Sequence, residues 1–204
     1  MKTKLLIFVL FCIVGCGNEE SRKLVVVPNP ETGQDAIISR AHNKSNYGNL
    51  EILHLTSRIK QDTLMDDNRF VISFDLEQIN KWAKVDSAFI YLYRSSDEWK
   101  ESNRFLVHCI KEPWIEHRIT WDNQPTVDEH RKVLISDTET KELKISVSPF
   151  VRDFVEREYR NMGFMFRLVK EDHKGRKVSF LSSNSKYDSL RPRLEVYYRV
   201  KNWF

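Results

Sequence analysis

Catalysis leaves spacings in a sequence, and the familiar ones are missing from these 204 residues. There is no Gly-x-Ser-x-Gly elbow to expose a serine, no glycine loop to cradle phosphate, no His-Glu-x-x-His pair and no Cys-x-x-Cys. The six histidines, at 42, 54, 108, 117, 130 and 173, are dispersed. Cys109 follows His108 in the apolar run Phe105-Leu106-Val107-His108-Cys109-Ile110. Neighbours in a strand point to opposite faces, so these two cannot form a thiolate–imidazole pair, and Cys109 is expected as a small core residue. Glycosidases and polysaccharide lyases use scattered carboxylates, Tyr, His or Arg that no spacing reveals. With no motif to carry it, the sequence predicts no catalytic residue and no enzyme.

Oxygen ligands for Ca²⁺ occur at Asp66-Asp67-Asn68 and at Asp35 with Asn46. Turn chemistry accounts for both, so no cofactor and no metal ligand is expected beyond this structural Ca²⁺ candidate. Binding chemistry is the remaining option. Arg167, Lys170, His173, Lys174, Arg176 and Lys177 crowd one predicted hairpin loop. Trp99, Lys100, Arg104 and His108 form a second group, with the ring in a polar turn where no core demands it. Guanidinium forks match carboxylates and rings lie against sugar faces, so both groups suit an acidic glycan.

The elements that position these residues are short apolar runs split by polar turns. They fall at 36–39, 50–55, 69–76, 87–94, 105–110, 132–135, 143–147, 163–169, 178–182 and 193–200. Runs rich in Val, Ile, Phe and Tyr between Asn, Asp, Gly and Ser predict an all-β sandwich or barrel. One stretch differs. Ser148 as N-cap, Pro149 at the first helical position, and Phe150, Val151, Phe154 and Val155 at helical spacing predict one short helix at about 148–160 that lids the sandwich. Trp114 and Trp121 are expected to close a core, and Asp75 to accept N–H groups of the turn after it. Arg191 is expected to pair with Asp75 or Glu116.

The N-terminus sets the compartment. Lys2 and Lys4 precede an apolar run from Leu5 to Val14, too short to span a bilayer, which ends at Gly15-Cys16. Ile13-Val14-Gly15-Cys16 resembles a bacterial lipobox, which predicts a signal peptide at 1–15 and lipidation of Cys16. Gly17-Asn18-Glu19-Glu20 resembles the acidic export signal of Bacteroidetes surface lipoproteins. The expected location is the cell surface, anchored to the outer membrane by lipid alone. Residues 16–34 read as lipidated Cys and tether, and 35–204 as the domain. Of three cysteines only Cys109 then stays free in the domain, so no disulfide is expected. Lys plus Arg at 33 against Asp plus Glu at 29 gives +4; without Lys2 and Lys4 the balance is 31 against 29, or +2. That is no electrostatic footprint for nucleic acid.

The order of several motifs carries a resemblance. Asp35-Ala36-Ile37-Ile38 and Asn46-Tyr47-Gly48-Asn49 precede Arg69-Phe70-Val71-Ile72-Ser73-Phe74-Asp75-Leu76 and Ser87-Ala88-Phe89-Ile90-Tyr91-Leu92-Tyr93. Trp114-Ile115-Glu116, Ile119-Thr120-Trp121-Asp122-Asn123-Gln124-Pro125, Gly163-Phe164-Met165-Phe166 and Arg191-Pro192-Arg193-Leu194-Glu195-Val196-Tyr197-Tyr198 follow. Residues 35–198 so resemble the DNRLRE domain and carbohydrate-binding module family 96. The resemblance implies a β-jelly-roll in a secreted or cell-surface protein that binds alginate-like acidic polysaccharide without turning it over. The family's Leu-Arg-Phe-Asp-Leu core reads Ile72-Ser73-Phe74-Asp75-Leu76, so its arginine is replaced by Ser73. A structural or adhesion domain of the envelope, contacting protein partners and lacking a glycan site, is the competing expectation. An exposed aromatic-plus-cation strip on one sheet or loop end separates the two.

Overall fold

The computed structural model describes residues 19–60, 63–95, 104–137 and 139–201. Cys16, Trp99 and Lys100 lie outside them. The described strands are β1 (Glu19–Val26), β2 (Gln34–Ser39), β3 (Ile52–Lys60), β4 (Leu64–Ser73), β5 (Lys84–Tyr93), β6 (Phe105–Ile110), β7 (Val127–Ile135), β8 (Glu142–Ser146), β9 (Phe164–Leu168), β10 (Lys174–Leu181) and β11 (Arg193–Lys201), with one α-helix, α1 (Ser148–Val155). Their pairings are antiparallel. A four-stranded sheet runs β1-β11-β5-β8, and a larger one runs β10-β3-β4-β9-β6-β7 with β2 also on β4. The two face each other as a β-sandwich, one of the two architectures that the strand spacing predicts, of the jelly-roll type that the resemblance implies.

Two cores explain why the runs differ in pattern. Phe70, Ile72, Phe105, Phe166 and Phe180 of the larger sheet meet Ile90, Leu92, Leu194 and Val196 of the smaller one between the layers. Phe70 stacks on Phe166 with ring centroids 4.3 Å apart, and burying each such side chain stabilises by about 1.5–3 kcal/mol. On the other side of the larger sheet, Ala36, Ile38, Val71 and Met165 are covered by the 111–126 segment through Ile119, Trp114 and Trp121. β4 therefore reads as the unbroken run Phe70-Val71-Ile72 because both of its faces are buried. Trp114 and Trp121 close this second core as expected, Trp114 donating Nε1–H to the Met162 carbonyl at 2.8 Å.

Four expectations need correction. Residues 19–26, assigned to a tether, form β1 and pair with β11 from Glu19↔Lys201 to Val26↔Leu194; Leu24 and Val26 pack on the core, which a tether would leave in water. The helix ends at Val155, not near 160, because Arg157 turns to φ 59°. Its N-cap is Val147; the Ser148 hydroxyl instead accepts the Ala88 N–H of β5 at 2.9 Å, and this fastens the helix to the sheet. Arg191 bonds Asp188 at 2.8 Å and the Ser185 carbonyl at 2.9 Å, and not Asp75 or Glu116. As a lid, α1 does bury Phe150, Val151, Phe154 and Val155, with Phe154 5.7 Å from Phe164.

Asp35, buried at the start of β2, ties two loops to the strand. Asp35 is 1% exposed, and its Oδ2 accepts the Ser183 N–H at 2.7 Å. Its own N–H donates to Glu116 Oε1 at 3.0 Å. Burial above all, opposed by the Ser183 bonds and aided by the Glu116 charge, pushes the Asp35 pKa up to about 7. Burial likewise raises that of Glu116. Gly33 and Gly48 keep this corner tight: a Cβ at either would stand 2.6 Å from Ser183 Oγ or 2.7 Å from Glu116 Cγ.

Candidate functional site

The structure does not keep the predicted cation group together. Arg167 is held on the outer side of the larger sheet, donating Nε–H to His108 Nε2 at 3.1 Å and Nη2 to Glu129 at 2.8 and 3.1 Å. His108, fully buried, thus accepts at Nε2 while Nδ1 meets the Asp128 carbonyl at 3.3 Å; that is a neutral imidazole, and burial lowers its pKa accordingly. His173 sits at φ 60°, its ring nitrogen 3.0 Å from Asp67 and its N–H on Ser57. Arg176 forks onto Asp172 at 3.0 and 3.2 Å. Three of the six cations are thereby structural partners, while Lys170, Lys174 and Lys177 remain exposed. Arg104, from the second predicted group, joins Val169, Lys170 and Arg176 around a shallow hollow of about 100 Å³.

The proposed Ca²⁺ ligands are likewise engaged. Asp66 takes Arg58 at 2.7 Å, Asp67 takes Arg40 and Ser57, and Asn68 donates to Thr56 and Asp66. Asn46 donates to the Glu116 and Ile119 carbonyls, tying down the segment over the second core. Asp153, Glu156 and Glu158 converge at the end of α1, where Arg131 already pairs with Asp153. Asp75 accepts the Glu77 N–H at 2.8 Å, the turn role expected of it. The Ser73 hydroxyl, standing where the family has arginine, bonds Gln34 at 3.2 Å. A hollow of about 600 Å³ beside it is lined by polar groups of Gln34, Ser73, Asp75, Glu77, Arg157 and Asn161 over the core rings of Phe74 and Phe154.

The outer face of the four-stranded sheet is different in kind. Its inner face takes Ala88, Ile90, Leu92, Leu194 and Val196, so period-two alternation sends Phe89, Tyr91 and Tyr93 of β5 outward. Register sets Arg193 and Lys144 on either side of Tyr91, Glu195 and Ser146 beside Phe89, and Glu142 beside Tyr93. The Arg193 guanidinium lies 4.0 Å over the Tyr91 ring, and the Lys144 ammonium 4.0 Å over Phe89. Arg193 also donates to Tyr93 Oη and to Glu142, each at 2.6 Å. The Tyr93 hydroxyl, against some burial and together with Arg193, holds Glu142 below the usual carboxylate range. Farther along, Glu195 takes Lys23 at 3.1 Å and the Tyr197 hydroxyl at 3.0 Å. Lys144 makes no ion pair among the described residues.

This face offers ring surfaces for the apolar side of a sugar, fixed donors and acceptors for hydroxyls, and ammonium and guanidinium groups for a carboxylate. None of its residues was singled out from sequence as a binding residue, although Phe89, Tyr91, Tyr93 and Arg193 lie in the motifs that carry the resemblance. The signal was present in Ala88-Phe89-Ile90-Tyr91-Leu92-Tyr93, where aliphatic and aromatic residues alternate strictly. An apolar strand with rings on every second position must show those rings to something.

The β-sandwich thus presents a face of half-buried rings and cations on its smaller sheet. The model of Carbohydrate-binding module family 96 matches residues 29–198, and the chain belongs to that family. No curated protein matches the chain.

Proposed function

We propose that the protein is a surface lipoprotein, anchored to the outer membrane through Cys16, that binds an acidic polysaccharide and does not turn it over. Membership in a family of binding modules supports carbohydrate as the ligand. The observation that carries the reading further is the open face around Tyr91. Rings sit there 4.0 Å from Arg193 and Lys144; Arg193 is fixed by Tyr93 and Glu142, while Lys144, with no ion pair among the described residues, can leave the ring for a uronate carboxylate. The Gly15-Cys16 junction after a ten-residue apolar run supports the anchor.

Isothermal titration against alginate and a neutral glycan tests the ligand. Tyr91→Ala and Lys144→Ala should each weaken alginate binding at least several-fold, and binding should decline with salt because the Debye length is about 8 Å at physiological ionic strength. Equal affinity for both glycans would remove the acidic preference. A second surface has its own support in Lys170 beside Arg104, with the exposed Lys174 at the end of the same loop. Loss of binding in Lys170→Ala/Lys174→Ala with none in Tyr91→Ala would move the site there. Metabolic labelling with a clickable palmitate should mark the wild type and vanish in Cys16→Ala.

A further inference from the structure

Both ends of the described chain meet at one end of the four-stranded sheet, because Glu19 pairs with Lys201. Cys16 lies three residues before Glu19. An extended chain covers at most about 3.6 Å per residue, so the Cys16 Cα stays within about 11 Å of Glu19. A tether running to residue 34 would have left the domain free to orient; one that stops at Glu19 does not.

The same end carries the most exposed large apolar side chain among the described residues. Trp82 is 78% exposed, whereas the other described tryptophans, Trp114 and Trp121, pack on the second core. An Asx turn presents it: Asn80 Oδ1 accepts the Trp82 N–H at 3.0 Å and the Asn80 carbonyl accepts the Ala83 N–H at 2.8 Å. Trp82, Ala83, Val200 and Lys201 enclose an open hollow of about 510 Å³. Lys81 stands 4.7 Å over the indole, and Lys84 is exposed next to it. The carboxylates of Glu19 and Asp86 at this end are both bonded by Arg199. A tryptophan flanked by lysines suits the bilayer interface, where an indole buries its body at headgroup level and ammonium groups meet anionic lipid.

We propose that the Trp82 end of this sheet rests on the lipid headgroups, with Trp82 inserted at the interface and Lys81 and Lys84 against anionic lipid. The proposal rests on the Cys16 anchor. It commits to lipid as the occupant of the hollow because the anchor residue is three residues from the sheet end that Trp82 shares. The alternative cover is the chain's own Asn202-Trp203-Phe204, which continues from Lys201.

The test uses the mature chain from Cys16, coupled through the Cys16 thiol to a maleimide-headgroup phospholipid in phosphatidylethanolamine–phosphatidylglycerol vesicles. Buried Cys109 does not compete. Tryptophan emission is compared between plain vesicles and vesicles with acyl chains brominated close to the headgroup. Part of the emission should be lost on bromination, and that loss should vanish in Trp82→Phe and persist in Trp114→Phe. No loss in the wild type overturns the proposal, as does a loss abolished by Trp203→Phe and not by Trp82→Phe. Quenching of Trp82 only after residues 202–204 are removed assigns the hollow to the tail and also overturns it. The maleimide supplies the tether whether or not cells lipidate Cys16, so a failure here is separate from a failure of the palmitate labelling.

Discussion

Replacing Asp35 by Asn should stabilise the protein above neutral pH and have little effect in mild acid. The Asp35 carboxyl titrates near 7 in the fold, against 3.8 for the free side chain, chiefly because it is buried. A pKa raised in the folded state gives stability that is complete below the unfolded value and is lost as pH rises through the folded one. In this case the decline starts near pH 4 and levels off above about 7. At 1.36 kcal/mol per pH unit, a shift of about 3 units corresponds to about 4 kcal/mol. Asn keeps the shape and the acceptor for the Ser183 N–H. Urea unfolding of both proteins at pH 4.5 and pH 8 isolates the effect, because acid losses from the depressed Glu142, Glu195 and Asp172 are common to both. The variant should exceed the wild type by a few kcal/mol at pH 8 and by no more than about 1 kcal/mol at pH 4.5. A difference that does not change with pH would refute burial as the cause.

Two further predictions concern the cores. Burial lifts the Cys109 thiol to about 11, so iodoacetamide at pH 8 should label the native domain only as fast as it unfolds, and the melting temperature should be unchanged by dithiothreitol. Gly163 has φ +82°, and a Cβ there would lie 2.4 Å from the Ile72 carbonyl oxygen. Gly163→Ala should therefore cost well over the ~1–2 kcal/mol of the left-handed conformation alone, and Gly175→Ala, at φ +83° in open space, only about that much, as read from the two melting curves.

The sheet layers were legible because their period is local. Phe105–Ile110 and the span 193–200 show their strand character without any knowledge of partners, and the helical spacing of Phe150, Val151, Phe154 and Val155 marked α1. β1 escaped because Leu24 and Val26 alone face the core, and Glu19-Glu20-Ser21-Arg22-Lys23 reads as a solvated linker until β11 is placed beside it. The cation loop was misjudged for a related reason. Charge density is visible in a sequence, but the neutralising partners of Arg167 and His173 are Glu129 and Asp67, which come from β7 and β4. The Tyr91 face was hidden because β5, β8 and β11 are far apart in the chain and only their register assembles Lys144, Tyr91 and Arg193 into one row.

That register also relates the two proposed surfaces. The residues from Trp82 to Tyr91 lie along β5 and the turn before it, and a strand rises about 3.3 Å per residue. Tyr91 therefore stands up to about 30 Å from the Trp82 end, beyond the headgroup layer on which that end would rest. With the Trp82 end resting on the membrane as proposed and the strands upright, the Lys144–Tyr91–Arg193 row, which crosses β8, β5 and β11, would lie parallel to the membrane plane. A polysaccharide lying along that row would run over the cell surface and not into it. A long tether would give no such orientation; with Cys16 as the anchor, only Gly17 and Asn18 stand between it and Glu19, and so short a link would align the proposed glycan face as well as retain the domain.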